Sequence, residues 1–426
     1  MVVVHYGTDD LTMRSLRALV EDDVSPPTTI VVVDNGPGEP LGPRVRRELP
    51  TVEVVSPGRN LGFAGGCNAG IRHLGPVDHI ALVNSDAVVR PGWLVPLLAA
   101  LDADPGVGAA CPKILFEGGF HEVDLDAAPT WVPGRGDHRP LAWRLAGVRA
   151  DDCDVTDRCL LVEGFWEPEV DGVWAGAHAS VLVPESEHGR VAFRVGAPPG
   201  RAVQLVVRGG ADRQEASVVV GEGTIDVSVS GQAPSVSVIN NVGNERQADG
   251  YGIDRGYQEV DRGQHDEAVD VPAWCGGAVL LRRHYLDDVG LFDERLFLYY
   301  EDLELSLRGA AVGWRYQLCP TSVVEHRHGA SSLGASRRAE RLKERNRLLV
   351  LLRHDGPRAF AQQLVRFMLI TASYVRRDMV APALTPTRPR THIVRTRLAA
   401  LASALRWAPA MLAGRRADGR RSGCGA

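Results

Sequence analysis

The feature that most constrains this chain is the alternation, over its first 116 residues, of short apolar runs with helical segments. Residues 2–6, 29–33, 52–55, 79–83 and 106–115 read as strands. Residues 11–20 carry Leu11, Leu16, Leu19 and Val20 at helical spacing, and residues 67–74 and 91–101 also read as helices. Apolar strands alternating with helices predict a parallel α/β sheet covered on both faces. Ligands of such a sheet bind beyond the carboxyl ends of its strands. Three polar clusters follow strands here: Asp34-Asn35, Arg59-Asn60 and Asn84-Ser85-Asp86. Asp and Asn also form ordinary turns, but three such clusters in one sheet favour ligand contact. A carboxylate after the second strand can accept hydrogen bonds from a base or ribose, and Asp86 suits a hard divalent cation holding a diphosphate.

The stretch NLGFAGGCNAG (60–70) has four glycines, which permit close backbone approach. It is neither a dinucleotide fingerprint nor a P-loop, because no G-x-G-x-x-G opens the first helix and no Gly-Lys-Ser/Thr follows. Asn68, one turn into that helix, can face a bound sugar nucleotide. In FDERLFLYYEDLELSLR (292–308), aromatic residues flank Glu301-Asp302 and present a carboxylate from an apolar wall. Partial burial raises a carboxylate's pKa and strengthens it as a base. Glu301, Asp302 and Glu304 also suit the first turn of a helix, and the two roles are compatible. In VVEHRHGASS (323–332), His326 and His328 follow an apolar strand; a neutral imidazole there can complete a cation site, or the pair can be surface histidines.

From about residue 158 to 239 short strands recur at roughly ten-residue spacing without helical period, the pattern of a small antiparallel sandwich. Trp166 and Trp174 there can stack on carbohydrate or fill the sandwich core. From residue 337 onward the chain reads as helical and Arg-rich, interrupted by Pro382, Pro386 and Pro389. That segment holds 20 Lys and Arg against 5 Asp and Glu, a charge of +15, whereas the first 336 residues carry −20. Such a tail is expected to meet an anionic lipid surface, a nucleic acid or the acidic body itself. Nucleic acid is disfavoured because few aromatics interleave with the charges. No apolar run approaches the roughly 20 residues of a membrane span, and the first residues read as a strand, not a leader. Seven cysteines without a C-x-x-C pair suggest a reduced, cytoplasmic setting.

Taken in order, VVVDNG, NLGFAGGCNAGI, LVNSDAVVRPGWL, CGGAVLLRR, VGLFDERLFLYYEDLELSLR, GWRY and VVEHRHGASS resemble family-two inverting glycosyltransferases of the GT-A fold. The branch they resemble is the rhamnosyltransferase-like and galactofuranosyltransferase-like one. The resemblance covers about residues 1–116 and 240–350. It implies a GT-A (Rossmann-like, mostly parallel) α/β sheet, with an inserted all-β sandwich and a C-terminal helical tail outside the resemblance. The expected parts are a nucleotide-sugar half (1–120), the insertion (121–238), an acceptor and catalytic half (239–336) and the basic tail (337–426). The resemblance implies a nucleotide-diphosphate sugar donor, a glycan or lipid-linked acceptor, and Mg²⁺ or Mn²⁺. Asp302, with Glu301, would be catalytic, and Asp86 and His326 would hold the metal. Tyr6, Asp34, Arg59, Asn60, Asn68, Asn84 and Ser85 would bind the nucleotide sugar, and Trp274, Gly276 and Gly277 would shape the donor-sugar and acceptor site. Departures from the pattern are Asn84 at the first D-x-D position, Glu304 where relatives have Asp, and His5 for Asn or Thr. The expected setting is the inner face of the cell membrane, with peripheral attachment. The alternative is an inactive glycosyltransferase-like sugar-binding or scaffold protein.

Overall fold

In a computed structural model the chain forms two compact units, Met1–Leu115 with Asn240–Tyr257 and Gly263–Ala426, and Phe116–Ile239 with Gln258–Arg262. The structure describes residues 1–36, 40–134, 138–169, 171–209, 214–221, 223–229, 235–327, 337–380 and 391–423. His328, Gly329 and Ser331 of the histidine motif, and Pro382, Pro386 and Pro389, lie outside these.

The first unit begins with β1 (Val2–His5), α1 (Asp9–Val20), β2 (Val31–Asp34), α2 (Gly42–Glu48), β3 (Glu53–Val55), α3 (Gly62–Leu74), β4 (His79–Asn84), β5 (Ala87–Val89), α4 (Leu94–Ala103) and β6 (Val107–Phe116). Strands β3, β2, β1 and β4 pair in parallel, with Val2–His5 aligned on Val31–Asp34. Their polar ends therefore fall on one edge. The glycines of α3 serve close packing: a Cβ on Gly66 would stand 2.6 Å from Val4 and one on Gly70 2.4 Å from Val2. The helix can thus lie against β1, and its register is fixed rather than loose. Met13, Leu16 and Leu19 of α1 enter the same core as Val3 and Val32.

The second unit is β7 (Phe120–Ala128), β8 (Trp143–Ala150), β9 (Cys153–Asp154), β10 (Leu160–Phe165), β11 (Val173–Pro184), β12 (Val191–Gly196), β13 (Val203–Gly209), β14 (Gln214–Val220) and β15 (Thr224–Val229). The expected all-β insertion is one continuous sheet, β14-β13-β7-β11-β8-β12-β15, with β10 on β11 and β9 on β8. It curls until its end strands β14 and β15 meet. Trp143, Leu145, Phe193 and Leu205 form its core. Trp166 and Trp174 are half-buried, with the Arg144 guanidinium 5.7 Å over the Trp174 ring.

The chain continues through β16 (Ile239–Asn241), β17 (Asn244–Arg246), β18 (Gly252–Asp254), β19 (Ala278–Arg282), α5 (Arg283–Val289), α6 (Glu301–Ala310) and β20 (Arg315–His326). β19 enters the first sheet antiparallel between β4 and β6, and β20 pairs antiparallel with β5. The sheet order is β3-β2-β1-β4-β19-β6-β20-β5, with its first four strands parallel.

Three helices close the first unit: α7 (Arg337–His354), α8 (Pro357–Val375) and α9 (His392–Gly423). Residues 337–353, expected at a lipid surface, are largely interior. Leu348, Leu349, Val350, Leu351 and Leu352 are buried, as are Arg345, Asn346, Arg347 and Arg353. Leu348, Leu349 and Leu352 pack with Leu296, Phe367, Ala404 and Met411. Among the described residues no helix is long and apolar enough to cross a membrane, and six cysteines are free thiols.

Candidate active site

β4 ends at Asn84, and the chain turns through Ser85 and Asp86 into β5. The β5–β20 pairing sets His326 opposite Ala87. His326 Nε2 therefore lies 3.0 Å from Asp86 Oδ1, and its Nδ1 lies 3.1 Å from Asn240 Oδ1. Asn84 Nδ2 is 3.4 Å from the same Nε2. Asp86 and His326 are 4% and 8% exposed, so the pair is sheltered from bulk water.

On the other side stands the first turn of α6. Asp302 Oδ2 accepts the Gly276 N–H at 2.9 Å and Asn244 Nδ2 at 3.2 Å. Its Oδ1 accepts the Leu303 N–H at 2.7 Å. Burial pushes the Asp302 carboxyl above the usual carboxylate range, against the pull of those donors. Burial, reinforced by Asp302, pushes Glu301 up to about 8, and Glu301 Oε2 is buried without a hydrogen bond. Glu304, two residues further on, is fully enclosed between Arg308 and Arg353, both at 2.9 Å. Burial alone would raise it; Arg308, His354 and Arg353 outweigh that and hold it well below its ordinary value. One helix turn thus carries a neutral acid, a hydrogen-bonded carboxylate with elevated basicity, and a locked ion pair.

The two halves join through side chains. Asn244 Oδ1 accepts Asn241 Nδ2 at 2.7 Å, and Asn241 also donates to Asp254 at 2.6 Å. Asn240, next in the chain, meets His326. A second route runs through the backbone: the Asn84 N–H donates to Gly277 O at 2.9 Å, and Gly276 donates to Asp302. The segment Asn240–Asn244 is the part of the site that sequence reasoning missed. Its only signal is three asparagines within five residues, which read as a turn.

The turn before α6 is backbone-strained. Phe297, Tyr299 and Tyr300 have φ of 67°, 70° and 70°, at a cost of about 1–3 kcal/mol each for side chains of this bulk. It passes so near α3 that a Cβ on Gly62, itself at φ +73°, would stand 2.3 Å from Phe297 O.

The remaining expected residues take varied places. Tyr6 follows β1, half-buried, and Arg59 is exposed. Asp34 ends β2 and accepts the Gly42 N–H at 3.4 Å. Asn60 Oδ1 accepts the Gly62 N–H at 2.8 Å and Asn35 Nδ2 at 3.2 Å, which ties the β2 and β3 loops together. Ser85 is buried in its turn. Asn68 donates to Phe292 O and Glu294 Oε1 and accepts the Phe292 N–H, so its amide anchors the aromatic segment to α3. Trp274 is wholly buried, edge-on to Phe292 at 5.9 Å; it supports the site from beneath and presents no face to a sugar. Gly277 lies buried beside Asn84.

Among the described residues, no group of three or more His, Cys, Asp and Glu is arranged to hold a metal. Asp86 and His326 supply one carboxylate and one imidazole. That set fits a cation whose remaining ligands come from diphosphate oxygens and water, the usual habit of Mg²⁺-type ions.

The family comparison reaches the β4 end of this site but not α6 or His326. Residues 2–155 match the family model Glycosyl transferase family 2. A 62-residue stretch is 44% identical to the N-acetylglucosaminyl-diphospho-decaprenol L-rhamnosyltransferase of Mycobacterium tuberculosis, in strains CDC 1551 and H37Rv; it covers 14% of this chain and only 20% of that protein. Among solved structures, GalNAc-T7 with UDP, GalNAc and Mn²⁺ is 14% identical, with a TM-score of 0.45 over 83% of this chain and 47% of that one. Mannosyltransferase PcManGT from Pyrobaculum calidifontis, with GDP-Man and Mn²⁺, is 14% identical, with a TM-score of 0.42 over 98% and 78%. These two are distant likenesses. With its sheet, its insertion and its helical C-terminal segment, the chain is glycosyltransferase-like, and residues 2–155 are similar to glycosyltransferase family 2.

Proposed function

We propose that this protein is an inverting glycosyltransferase that moves a sugar from a nucleotide-diphosphate sugar to a hydroxyl of a glycan or lipid-linked glycan. The observation that carries the reading is the Asp302 carboxylate, held by Gly276 and Asn244, in a segment Asn240–Asn244 whose other end, Asn240, meets the Asp86–His326 pair at the end of β4. The donor lies over the strand ends, where Tyr6, Asp34, Arg59, Asn60 and Asn84 are available to its nucleotide and Ser85 shapes the turn beneath. Asp302 takes the proton of the acceptor hydroxyl as that oxygen attacks the anomeric carbon. The bond from that carbon to the diphosphate oxygen breaks on the opposite face, and the nucleoside diphosphate leaves with the electron pair. Glu301, neutral below about pH 8, spares Asp302 a second adjacent negative charge. A Mg²⁺ or Mn²⁺ ion held by Asp86 and His326 would neutralise charge on the departing diphosphate.

The short identity to a rhamnosyltransferase acting on a decaprenol-linked acceptor supports a deoxyhexose donor and a lipid-linked acceptor. The outer face of α8 supports peripheral attachment at the cytoplasmic leaflet. Val365, Met368 and Leu369 are exposed there between Arg358 and Arg376, a pattern suited to an anionic interface.

The test is release of nucleoside diphosphate from UDP-, GDP- and dTDP-sugars with and without Mn²⁺. Asp302→Asn is expected to cost about 10²–10⁴ in turnover with donor binding and thermal midpoint unchanged. Turnover within threefold of the unaltered protein removes Asp302 as base. Donor binding without any turnover by the unaltered protein leaves the sugar-binding scaffold as the reading.

A further inference from the structure

Asp302 follows the strained turn at Phe297–Tyr300 by two residues, and a backbone in that conformation must be held from outside. The holding groups belong to α7. Asn346 Nδ2 lies 2.9 Å from Leu296 O, 3.0 Å from Leu298 O and 2.6 Å from Tyr299 O. Arg345 Nη2 lies 3.0 Å from Arg295 O and 2.6 Å from Leu296 O. Arg345 Nε donates to Asn346 Oδ1 at 2.8 Å, which orients the amide with its NH₂ toward the turn. Two adjacent side chains thus make five contacts to carbonyls of one short segment. Asn346 is fully buried and Arg345 nearly so. Outside them, the Arg338 guanidinium and the Lys343 ammonium each stand 4.8 Å over a ring of the same turn, Phe297 and Tyr299 respectively.

An apolar side chain of similar size would fill the space of Asn346 but could not hold these carbonyls, and buried carbonyls without donors are costly. We infer that Asn346, oriented by Arg345, is a positioning residue for the catalytic base: it fixes the left-handed turn whose last residue, Tyr300, caps α6 and so aims Asp302 at the acceptor hydroxyl. This rests on the reading of Asp302 as base. The role also explains why a helix rich in arginine lies inside the protein. Its donors are taken up by a loop whose own backbone N–H groups reach only part of its carbonyls, Leu298 N–H to Leu296 O among them.

The test compares Asn346→Leu, Arg345→Lys and Asp302→Asn in the full chain. The probes are the UDP-, GDP- and dTDP-sugars for turnover, and UDP, GDP and dTDP for binding. Asn346→Leu is expected to lower kcat about 100-fold while nucleotide affinity stays within about twofold, since small displacements at the reacting centre cost about that much. Arg345→Lys, which keeps one donor, is expected to lose less. In the double variant with Asp302→Asn, the Asn346→Leu loss should vanish, because a misaimed base and an absent one are equivalent. Amide exchange over residues 296–303 should quicken in Asn346→Leu. An inactive Asp302→Asn beside a fully active Asn346→Leu overturns the positioning role and leaves the base intact. An active Asp302→Asn overturns the base reading itself. Losses that multiply in the double variant also overturn positioning. If Asn346→Leu does not fold, Arg345→Lys carries the same comparison.

Discussion

Helices α7 and α8 are consecutive and of similar length, yet they invert the usual rule. α7 buries Arg345, Asn346, Arg347 and Arg353, whereas α8 exposes Val365 at 60%, Met368 at 44% and Leu369 at 66%. The difference lies in the partners on offer. α7 meets buried carboxylates and open carbonyls: Glu304, Asp293 and the turn before α6. Buried cations are tolerated when they are paired and hydrogen-bonded, as Arg345 and Arg353 are here. α8 meets its neighbours mainly through Phe367 and Thr371, leaving an apolar stripe exposed among the described residues. Charge along a helix therefore says little about which side faces water until the partners are known.

The sharpest way to break this contrast is at Arg353. Its guanidinium serves Glu304, Asp293 and Asp418 at once. Arg353→Met should lower the unfolding free energy by about 1.5–3 kcal/mol, because Glu304 and Asp293 each lose one of two cations and keep Arg308 and Arg295. Arg358→Met on α8 should cost no more than about 0.5 kcal/mol. Equal losses in urea unfolding would erase the distinction.

A second, smaller effect separates the two ends of the α6 first turn. Glu304, supplied with cations, has a depressed pKa; its stabilisation is present above the unfolded value of 4.5 and lost as pH falls below it. Glu301, to which α7 supplies none, is raised to about 8, so its contribution is present below 4.5 and lost as pH rises from there through 8. Glu301→Gln should therefore raise the unfolding midpoint at pH 8 to 9 and flatten the alkaline side of the stability profile. An unchanged profile would remove Glu301 as a buried acid.

The smallest effect on folding and the plainest on location belongs to α8. Leu369→Asp should shift stability by under about 0.5 kcal/mol but reduce sedimentation with phosphatidylglycerol liposomes roughly tenfold, the loss expected when one leucine no longer enters the interface. Equal sedimentation would assign that face to another partner.

Much of the sheet edge could be read from residues alone. Asp34 and Asn84–Asp86 stand out because apolar runs end abruptly in polar turns, and Glu301-Asp302 stands out against its aromatic flanks. The antiparallel entry of β19 was hidden, because apolar periodicity does not encode strand direction. β7 and β8 escaped notice although Val123, Leu125 and Ala127 alternate inward, since Glu122, Asp124 and Asp126 interrupt the first run and Arg144 and Arg149 the second. Asn240, Asn244, Asn346 and Arg353 were invisible as site residues. Each acts through a partner 30 or more positions away, and a short polar side chain carries no local sign of such an engagement.

The cleft is stitched from extreme separations: Asp86 to His326 spans 240 positions and Asn68 to Phe292 spans 224. Ribosomes add about 5–20 residues per second, so tens of seconds pass between the emergence of Asp86 and that of Asn346. Throughout that interval the early strands can assemble, but the turn before α6 lacks the amide of Asn346. On the proposed reading, a polypeptide halted before α7 would carry Asp86 and Asp302 without the brace that Asn346 gives the turn before α6.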